Sequence, residues 1–587
     1  MPPPAPDPDA EPALTDAARL VLERRYLRRD DASGAMETSS GMFRRVARAV
    51  SQAEAAYGDD PDAFAERAFA LMRDLRFLPN SPTLMNAGLP QQQLAACFVL
   101  PVEDSLPGIF DSLKHAALIH QSGGGTGFAF SRLRPRNDRV QTTRGVASGP
   151  VSFMEVYDAA TDAIKQGGAR RGANMAILDV HHPDIERFVQ AKDESGALRN
   201  FNLSVAVDDA FMQAALDDGE VALVNPRSGQ EVGRRDARAL LDLITAQAWG
   251  YGDPGLVFLD RVNRDNPTPQ LGPIESTNPC GEQPLLPYES CTLGSIDVSK
   301  FAAADGAGVD WQGLGEAIDV AVRFLDDVID VNRYPSPEIE RMTLRTRKIG
   351  LGVMGFADLL FALGAPYDSE AGLRRGEGLA AFVQERANAA SAALGAERGA
   401  FPAWDGSIFD PGGPRYRNAT RTTVAPTGTI GIIAGCSGGI EPAFALAYDR
   451  RHYLDAADPG RLTRLRDVHP ALRRQAEREG WWSDELAAHL ASGGGLADGP
   501  SVPAGAARTF ATAHEIGWEW HVRMQAAFQR HVDNAVSKTI NFPREARREE
   551  VAAAFALAWR EGCKGITVYR DGSRAEQVFA RPAADES

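Results

Sequence analysis

The 587-residue sequence has few cysteines, no surplus of basic residues and no long apolar run. Five cysteines in a chain of this length do not form the disulfide framework of a small secreted protein. No Cys-x-x-Cys motif or Cys/His cluster is present, so the sequence predicts no metal site. The net charge of −16 argues against a non-specific nucleic-acid binder but is compatible with small phosphate ligands bound at a local site.

The sequence also lacks an apolar signal segment and a membrane-spanning segment. It begins with a proline-rich, acidic stretch, "MPPPAPDPDAEPALTDA". The uncharged stretch 422–440 contains five glycines and a proline, which is typical of a buried, turn-rich strand rather than a membrane span. We therefore expect a cytoplasmic protein with neither a membrane nor a nucleic acid as its partner.

The chain is longer than one ordinary core of roughly 100–200 residues. We predict a disordered tail over residues 1–12 and a helical N-terminal domain over 13–85, because helical patterns stop at a Pro/Asn/Gly-rich loop near residue 80. Over 86–574, short apolar runs alternate with helical stretches such as 235–249, 313–332 and 546–560. This alternation indicates an α/β architecture. The polar tail 575–587 is predicted to be flexible.

The stretch Asn278-Pro279-Cys280-Gly281-Glu282 places a thiol between a carboxamide and a carboxylate. Residues i and i+2 of an extended segment point to the same side, so these three side chains could converge, although the proline and glycine favour a tight loop. A nearby carboxylate raises the pKa of a thiol, and no histidine is close in sequence, so a thiolate nucleophile is poorly supported. A hydrogen-atom donor, a general base and a hydrogen-bonding positioner fit better. The alternative is a small buried cysteine in a loop.

Eight stretches, in the same order, resemble ribonucleotide reductases, and the wording of the cysteine loop resembles their class II, adenosylcobalamin-dependent branch. The resemblance runs from about Thr15 to Arg574. It implies an α/β fold, a ten-stranded α/β barrel of two five-stranded halves with a central finger loop, preceded by a helical N-terminal domain. The stretches are "PNSPTLMNAG", "ACFVLPVEDSL", "QSGGGTGFAFSRLRP", "ASGPVSFMEVYDAATDAIKQGGARRGANMAIL", "NPCGEQPLLPYESCTLGSI", "RKIGLGVMGFADLL", "APTGTIGIIAGCSGGIEPAF" and "GCKGITVYRDGSR".

The resemblance implies reduction of ribonucleoside diphosphates to 2'-deoxyribonucleoside diphosphates by a thiyl-radical mechanism. Cys280 would become the thiyl radical that takes the 3'-hydrogen of the ribose. Glu282 would be the base on the 3'-hydroxyl, and Asn278 would hydrogen-bond the ribose. Cys97 and Cys291 would be the dithiol that reduces the 2' position and ends as a disulfide.

The resemblance also implies the substrate contacts. The stretch 426–430 offers successive backbone N–H groups and two hydroxyls to a diphosphate, particularly if a helix starts there. The implied contacts are Ser81, Ala96, Cys97, Gly125, Asn278, Pro279, Cys280, Gly281, Glu282, Pro426, Thr427, Gly428, Thr429 and Ile430.

A deoxynucleoside triphosphate effector that selects the base to be reduced is a further implication. Asp104 and Ser105 match its deoxyribose and base contacts, and Arg132 and Arg134 are candidate phosphate partners. The loop 166–174, with Arg171, resembles the segment that relays the identity of the effector to the substrate site. Because no long insertion imitates a dimer interface, we expect a homodimer.

Two further interpretations remain open. A class I large subunit would need a radical-generating partner and a neighbouring tyrosine pair, but Val568 precedes Tyr569 at the matching place, so adenosylcobalamin is favoured as the radical source. A non-catalytic nucleotide-binding regulator would have no need of the five catalytic residues. A dinucleotide-binding dehydrogenase is weaker, since "GGGTGF" lacks the third glycine of the fingerprint.

The sequence departs from many relatives at both ends. Too few residues precede the first motif to hold a regulatory ATP-binding cone, so overall control by dATP is not expected. No cysteine follows Cys563, so a cysteine-rich shuttle tail is missing. Thioredoxin or glutaredoxin would then reach the active-site disulfide directly, unless another chain supplies the thiols or the sequence is part of a longer one.

Overall fold

The computed structural model describes residues 10–29, 34–139, 145–166, 170–193, 197–303, 308–453 and 462–573. The predicted tails therefore lie almost entirely outside the described residues. The same holds for 167–169 of the predicted relay loop and for the side chain of Arg171.

The strands belong to one large sheet and to several two-stranded ribbons. Their bounds are β1 (Phe77–Pro79), β2 (Cys97–Pro101), β3 (Gly125–Ala129), β4 (Lys165–Gln166), β5 (Arg170–Arg171), β6 (Asn174–Asp179), β7 (Phe201–Val207), β8 (Glu220–Val224), β9 (Glu231–Asp236), β10 (Gly255–Phe258), β11 (Ser276–Thr277), β12 (Pro284–Leu285), β13 (Ser290–Asp297), β14 (Ile349–Met354), β15 (Ala447–Tyr453), β16 (Leu462–Val468), β17 (Thr539–Phe542) and β18 (Gly565–Arg570).

The α-helices surround the large sheet and form the N-terminal region. Their bounds are α1 (Asp16–Arg25), α2 (Ser39–Ser51), α3 (Pro61–Arg73), α4 (Ser81–Asn86), α5 (Leu106–Gln121), α6 (Pro150–Ala163), α7 (Ile185–Val189), α8 (Asp209–Leu216), α9 (Ala237–Tyr251), α10 (Leu259–Arg264), α11 (Trp311–Val331), α12 (Pro337–Thr346), α13 (Phe356–Ala362), α14 (Glu370–Arg398), α15 (Gly428–Ala434), α16 (Pro470–Glu479), α17 (Asp484–Ala491), α18 (Ala504–Thr509), α19 (Trp518–Gln529) and α20 (Arg548–Arg560). Short 3₁₀ helices cover Gln52–Tyr57, Pro269–Leu271, Val298–Phe301 and Leu496–Asp498.

The large sheet contains ten strands and confirms the predicted barrel. Strands β2, β3, β6, β7 and β10 run parallel to one another. Strands β13 and β14 form one parallel pair, and β17 and β18 form another. Antiparallel pairing of β2 with β13 and of β10 with β18 joins the two halves. Parallel bridges from Leu351 to Thr422 and from Val424 to Val536 connect β14 with the segment that enters β17, which closes the barrel.

The parallel strands are buried on both faces because helices cover the outside while the barrel interior is also packed. β6, "NMAILD", is buried at every position but its last, and β13 is buried throughout. On the outer face of the sheet, the rings of Phe128 on β3 and Tyr157 on α6 meet edge to face with their centroids 5.0 Å apart, which packs α6 onto β3. Among the helices of the described residues, none combines the length and apolar character needed to cross a bilayer.

A buried ion-pair network attaches the N-terminal helices to the barrel helices. Glu54 is fully buried and accepts hydrogen bonds from Arg398 at 2.8 Å and from Arg323 at 2.6 Å. Burial alone would raise the pKa of Glu54, but the hydrogen bonds from these arginines lower it to about 2. The carboxylate is therefore held ionised where the two regions meet.

Candidate active site

The finger loop is a hairpin that holds Cys280 at its tip. β11 and β12 pair antiparallel, and residues 278–283 form the turn between them. The Gly281 N–H donates to the Asn278 carbonyl at 3.0 Å, and the Gln283 N–H donates to Asn278 Oδ1 at 2.9 Å. Pro279 occupies the second turn position, where its fixed φ is favourable. The tight loop predicted from Pro279 and Gly281 is therefore present.

Two glycines of β3 let the finger loop cross the barrel interior. A Cβ added to Gly127 would lie 1.7 Å from the Thr277 carbonyl oxygen, and one added to Gly125 would lie 2.9 Å from Pro279 Cγ. The neighbours of these glycines are thus the backbone and proline ring of the loop that carries Cys280. Asn202 on β7 donates to the Pro279 carbonyl at 2.7 Å, which ties the loop to the parallel half of the barrel.

The opposite wall holds the end of the finger loop. The Glu282 carbonyl accepts hydrogen bonds from the Ala535 N–H at 3.0 Å and from Thr423 Oγ1 at 2.9 Å. Thr423 also donates to the Ala535 carbonyl at 3.1 Å. The loop is therefore fixed to both halves of the barrel, and these anchoring side chains were missed by the sequence analysis because they lie far away along the chain.

Cys97 and Cys291 face each other across the antiparallel pair of β2 and β13. Direct partners in such a pair have Cα atoms about 4.5–5.5 Å apart, within the range that a disulfide spans. Both thiols are buried, and Asn278 Nδ2 donates to Cys97 Sγ at 3.1 Å. Burial raises the pKa of each thiol well above its usual value, so both are neutral S–H groups.

Glu282 is a buried carboxyl group with one oxygen available. It is 2% exposed, and its Oε2 has no hydrogen-bond partner within the described residues. Burial raises the pKa of Glu282 to about 7, although a hydrogen bond from Asn278 lowers it. A carboxyl group with this pKa can accept or return a proton at neutral pH.

Cys280 differs from the other cysteines because its side chain is exposed. The alternative of a buried packing cysteine is therefore wrong. Asn278 lies two residues from Cys280 in the turn of the finger loop, and its Nδ2 donates to Cys97, which is opposite Cys291. The structure thus brings together all five residues that were predicted to be catalytic, with Asn278 bridging two of them through its carboxamide.

The predicted diphosphate loop starts next to this cluster. Ala425 packs with Cys97 and Cys291 in one apolar cluster, and α15 begins three residues later at Gly428. Thr427 adopts a left-handed backbone with φ of +50°, and its Oγ1 accepts a hydrogen bond from the Gly439 N–H at 2.7 Å. The first amides of a helix have no acceptor within the helix, so Gly428, Thr429 and Ile430 carry N–H groups available at the start of α15, whereas Pro426 has none.

The remaining predicted substrate contacts lie around the same strands. The Gly125 N–H donates to the Ala96 carbonyl at 2.8 Å, which places both beside Cys97. Ser81 opens α4, directly after Asn80, whose N–H donates to the carbonyl of Leu293 on β13 at 2.8 Å. The Ser81 hydroxyl lies 2.7 Å from that of Tyr26.

The predicted effector residues form a second group beyond the C-terminal ends of β2 and β3, the strands that Cys97 and Gly125 begin. Arg134 makes an ion pair with Asp104 at 2.8 Å, and Ser105 caps α5 by accepting from the Gly108 N–H at 3.1 Å. Arg132 makes ion pairs with Glu103 and, at 2.9 Å, with Glu275. Both arginines thus have carboxylate partners within the chain. A cavity of about 490 Å³ adjoins Asp104 and Arg132.

A buried ion pair beside the thiols was not predicted. Lys348 Nζ lies 2.7 Å from Glu289 Oε2, and the two side chains are 1% and 0% exposed. Glu289 precedes Cys291 by two residues, whereas Lys348 directly precedes β14. A lysine followed by a strand gives no local sign of such a partner, so only the fold reveals the pair.

Two family models and several relatives match most of the chain. The family models for the ribonucleotide reductase all-alpha domain and barrel domain match residues 13–92 and residues 95–414 and 412–569. A vitamin B12-dependent ribonucleoside-diphosphate reductase of Mycobacterium tuberculosis (strain CDC 1551 / Oshkosh) is 53% identical, covering 97% of this chain and 81% of that protein. A protein of Thermoplasma acidophilum with the same description is 48% identical, with the same coverage.

A solved structure has the same fold. The class Id ribonucleotide reductase alpha subunit of Actinobacillus ureae superposes with a TM-score of 0.77, over 95% of this chain and 97% of that chain. Its sequence identity of 22% limits this likeness to the fold.

Proposed function

The chain belongs to the ribonucleotide reductase large-chain family, and we propose that it reduces ribonucleoside diphosphates to 2'-deoxyribonucleoside diphosphates in a reaction initiated by adenosylcobalamin. The observation that carries the proposal is one exposed thiol at the tip of a loop beside two buried, directly opposed thiols and a buried carboxyl group. The relatives described as vitamin B12-dependent support the cofactor.

The chain's residues fit an external radical source. Cys280 is exposed, and a Cβ added to the adjacent Gly281 would meet no atom within 4 Å, so the loop tip faces open space. Adenosylcobalamin, when bound, supplies a cobalt–carbon bond whose homolysis provides an acceptor for a hydrogen atom. Cys280 is the residue that would face it, and its neutral thiol is the form that gives up a hydrogen atom.

The ribose is activated by three side chains of the finger loop. The Cys280 sulfur, having lost its hydrogen atom, takes the 3'-hydrogen of the ribose. Glu282 accepts the proton of the 3'-hydroxyl with its free Oε2, and Asn278 orients the ribose and Cys97. Hydrogen transfer back from Cys280 to the 3' carbon restores both partners.

The dithiol carries the net reduction. The 2' carbon loses its hydroxyl as water and gains one hydrogen, and Cys97 and Cys291 lose two hydrogens and join as a disulfide. The pair lies opposite on β2 and β13, so the bond can form without moving the strands. Thioredoxin or glutaredoxin would then restore the thiols.

We assign substrate binding to the surface around the finger loop. The N–H groups at the start of α15 bind the diphosphate, with Thr427 and Thr429 adding hydroxyls. Ser81, Ala96 and Gly125 contribute the remaining contacts from the neighbouring wall. In this assignment residues 13–85 form the helical domain and 86–574 the barrel domain.

Specificity control is assigned to the second group of residues, with a deoxynucleoside triphosphate as the effector. Asp104 and Ser105 would contact its nucleoside, and Arg132 and Arg134 would exchange their carboxylate partners for its phosphates. A homodimer is supported by exposed apolar side chains on α5 and α6, which a partner would cover. They are Leu106, Phe110, Leu118 and Val156.

The test is an anaerobic assay of the purified chain alone with adenosylcobalamin, a ribonucleoside diphosphate and dithiothreitol, with the product identified by mass. We expect deoxynucleotide only when the cofactor is present. Turnover that requires a second protein and no cobalamin would instead favour the class I interpretation. The sequence argues against that interpretation, because Val568 occupies the position of one tyrosine of the pair. Nucleotide binding without any turnover would favour a regulator.

A further inference from the structure

The buried pair of Lys348 and Glu289 has no role in the reaction described above. Glu289 Oε2 accepts hydrogen bonds from Lys348 Nζ and from the Leu286 N–H, each at 2.7 Å. Glu289 Oε1 is buried and has no hydrogen-bond partner among the residues that the structure describes. A charged pair removed from water is costly, so its position beside the dithiol calls for a reason.

The strand register places this pair next to Cys291. Thr292 and Ile349 are partners in the parallel pairing of β13 with β14. The residues just before them are Cys291 on β13 and Lys348, which directly precedes β14, so their backbones lie side by side at about the 4.8 Å spacing of paired strands. Glu289 lies two residues before Cys291 and so faces the same side.

The charges around Cys291 oppose one another. Burial raises the pKa of this thiol most, Lys348 lowers it, and Glu289 and Glu282 raise it. Lys348 is the one cation among these influences. Lys564, a buried cation that interacts with Lys348, has a carboxylate partner of its own in Asp265 at 2.9 Å.

We propose that Lys348 is a positioning residue for re-reduction of the active-site disulfide, in which its ammonium group stabilises the thiolate that leaves from Cys291. The inference rests on the proposed function, which makes Cys97 and Cys291 the reducing pair. Cys97 is 4% exposed and Cys291 is not exposed at all, so an external dithiol attacks Cys97. A thiol with a lower pKa leaves faster.

The step balances with an external dithiol as the reductant. One external thiolate forms a bond to Cys97 Sγ, the Cys97–Cys291 bond breaks, and the electron pair stays on Cys291 beside Lys348. Cys291 then takes a proton. The second external thiol, after losing its proton, attacks the mixed disulfide. This releases Cys97 as a thiolate, which takes up a proton, and leaves the external dithiol oxidised.

The test compares two variants with opposite expected effects. Glu289→Gln/Lys348→Met removes both charges at similar volume and leaves no buried charge unpaired. Glu289→Gln alone keeps the ammonium group and removes its carboxylate. A matched control is Lys192→Met/Asp253→Asn, which neutralises a partly buried pair with a 2.9 Å contact elsewhere in the fold.

The main readout is the rate at which dithiothreitol reduces the oxidised chain, measured as protein thiols that appear after acid quenching and removal of the reagent, between about pH 6 and 9 without substrate or cofactor. We expect the double variant to react about tenfold more slowly, as for a leaving thiol whose pKa is higher by one to two units, and the Glu289→Gln variant to react faster. The control pair should stay within about twofold. The pre-reduced double variant should still complete one turnover.

Each outcome bears on one claim. An unchanged rate in the double variant, or an equal slowing in both Glu289 variants, overturns the role of Lys348 and leaves the proposed function intact. If the double variant does not fold, the Glu289→Gln variant alone decides: disulfide reduction at or below the wild-type rate overturns the role of Lys348. If wild-type turnover does not consume the thiols of Cys97 and Cys291, the proposed reducing pair is wrong instead.

Discussion

Replacing Gly127 by alanine should inactivate the chain by moving the finger loop. The added Cβ would lie 1.7 Å from the Thr277 carbonyl oxygen, whereas carbon and oxygen atoms normally approach to about 3.3–3.6 Å. One of the two backbones must therefore move by roughly 1.6–1.9 Å. A displacement of about 1 Å can reduce a reaction rate about 10²-fold, so we expect a loss of at least that size.

The assay is the rate of deoxynucleotide formation with adenosylcobalamin, measured beside thermal unfolding. Overpacking of a buried site costs about 1–3 kcal/mol, so the variant should remain folded while losing activity. Gly378→Ala on α14 is the matched control, because its added Cβ would meet no atom within 4 Å. Near-normal turnover of the Gly127→Ala variant would refute the close packing of β3 against the finger loop.

Three further predictions concern other parts of the chain. The rate of reduction should rise with pH through about 7 as Glu282 ionises. Glu282→Gln should lose both activity and this rise. A pH–rate profile of the variant equal to that of the wild type would exclude the carboxyl group as the base. Cys291→Ser should form no disulfide with Cys97 and give less than about a thousandth of wild-type product; repeated turnovers would contradict the dithiol. Glu54→Gln should lower the free energy of unfolding by about 3–5 kcal/mol at neutral pH. The pKa of Glu54 is lowered to about 2 in the folded chain. Its contribution to stability is therefore complete above about pH 4.5 and is lost as the pH falls towards 2. The free energies of unfolding of the two proteins, measured with denaturant, should converge near that pH.

Local patterns predicted the long helices well. Helical stretches expected over 235–249, 313–332 and 546–560 correspond to α9, α11 and α20, with bounds that differ by two residues or fewer. These helices carry sustained periodic apolar positions, which are visible without knowledge of their neighbours. The barrel itself was expected from the order of eight motifs rather than from any one strand.

Short elements set by tertiary contacts were harder to predict. The strand predicted over 422–440 is wrong for 428–434, where α15 forms after the left-handed Thr427. The glycines of this stretch are unfavourable in helices, so the sequence did not indicate a helix there. Cys97 and Cys291 were paired from the family resemblance, and their direct opposition depends on a strand register that the sequence does not state.

Contacts between distant residues could not be predicted where no family motif pairs them. Arg132 was predicted as a partner of an effector phosphate, and its ion pair with Glu275, 143 residues away, was not predicted. Lys348 and Glu289 are 59 residues apart, and neither position shows a pattern that suggests a buried ion pair. Such pairs form because the barrel brings separate strands together, so their chemistry becomes visible only after folding.

The central claim is that the sulfur of Cys280 takes and returns the 3'-hydrogen of the ribose. The most direct measurement follows turnover of a 3'-deuterated and an unlabelled ribonucleoside diphosphate by the wild type and by Cys280→Ser. The assay contains adenosylcobalamin and dithiothreitol, and product mass is the readout. We predict that the wild type converts the deuterated substrate more slowly than the unlabelled one and that the variant forms no deoxynucleotide. Formation of deoxynucleotide by the serine variant would contradict the account.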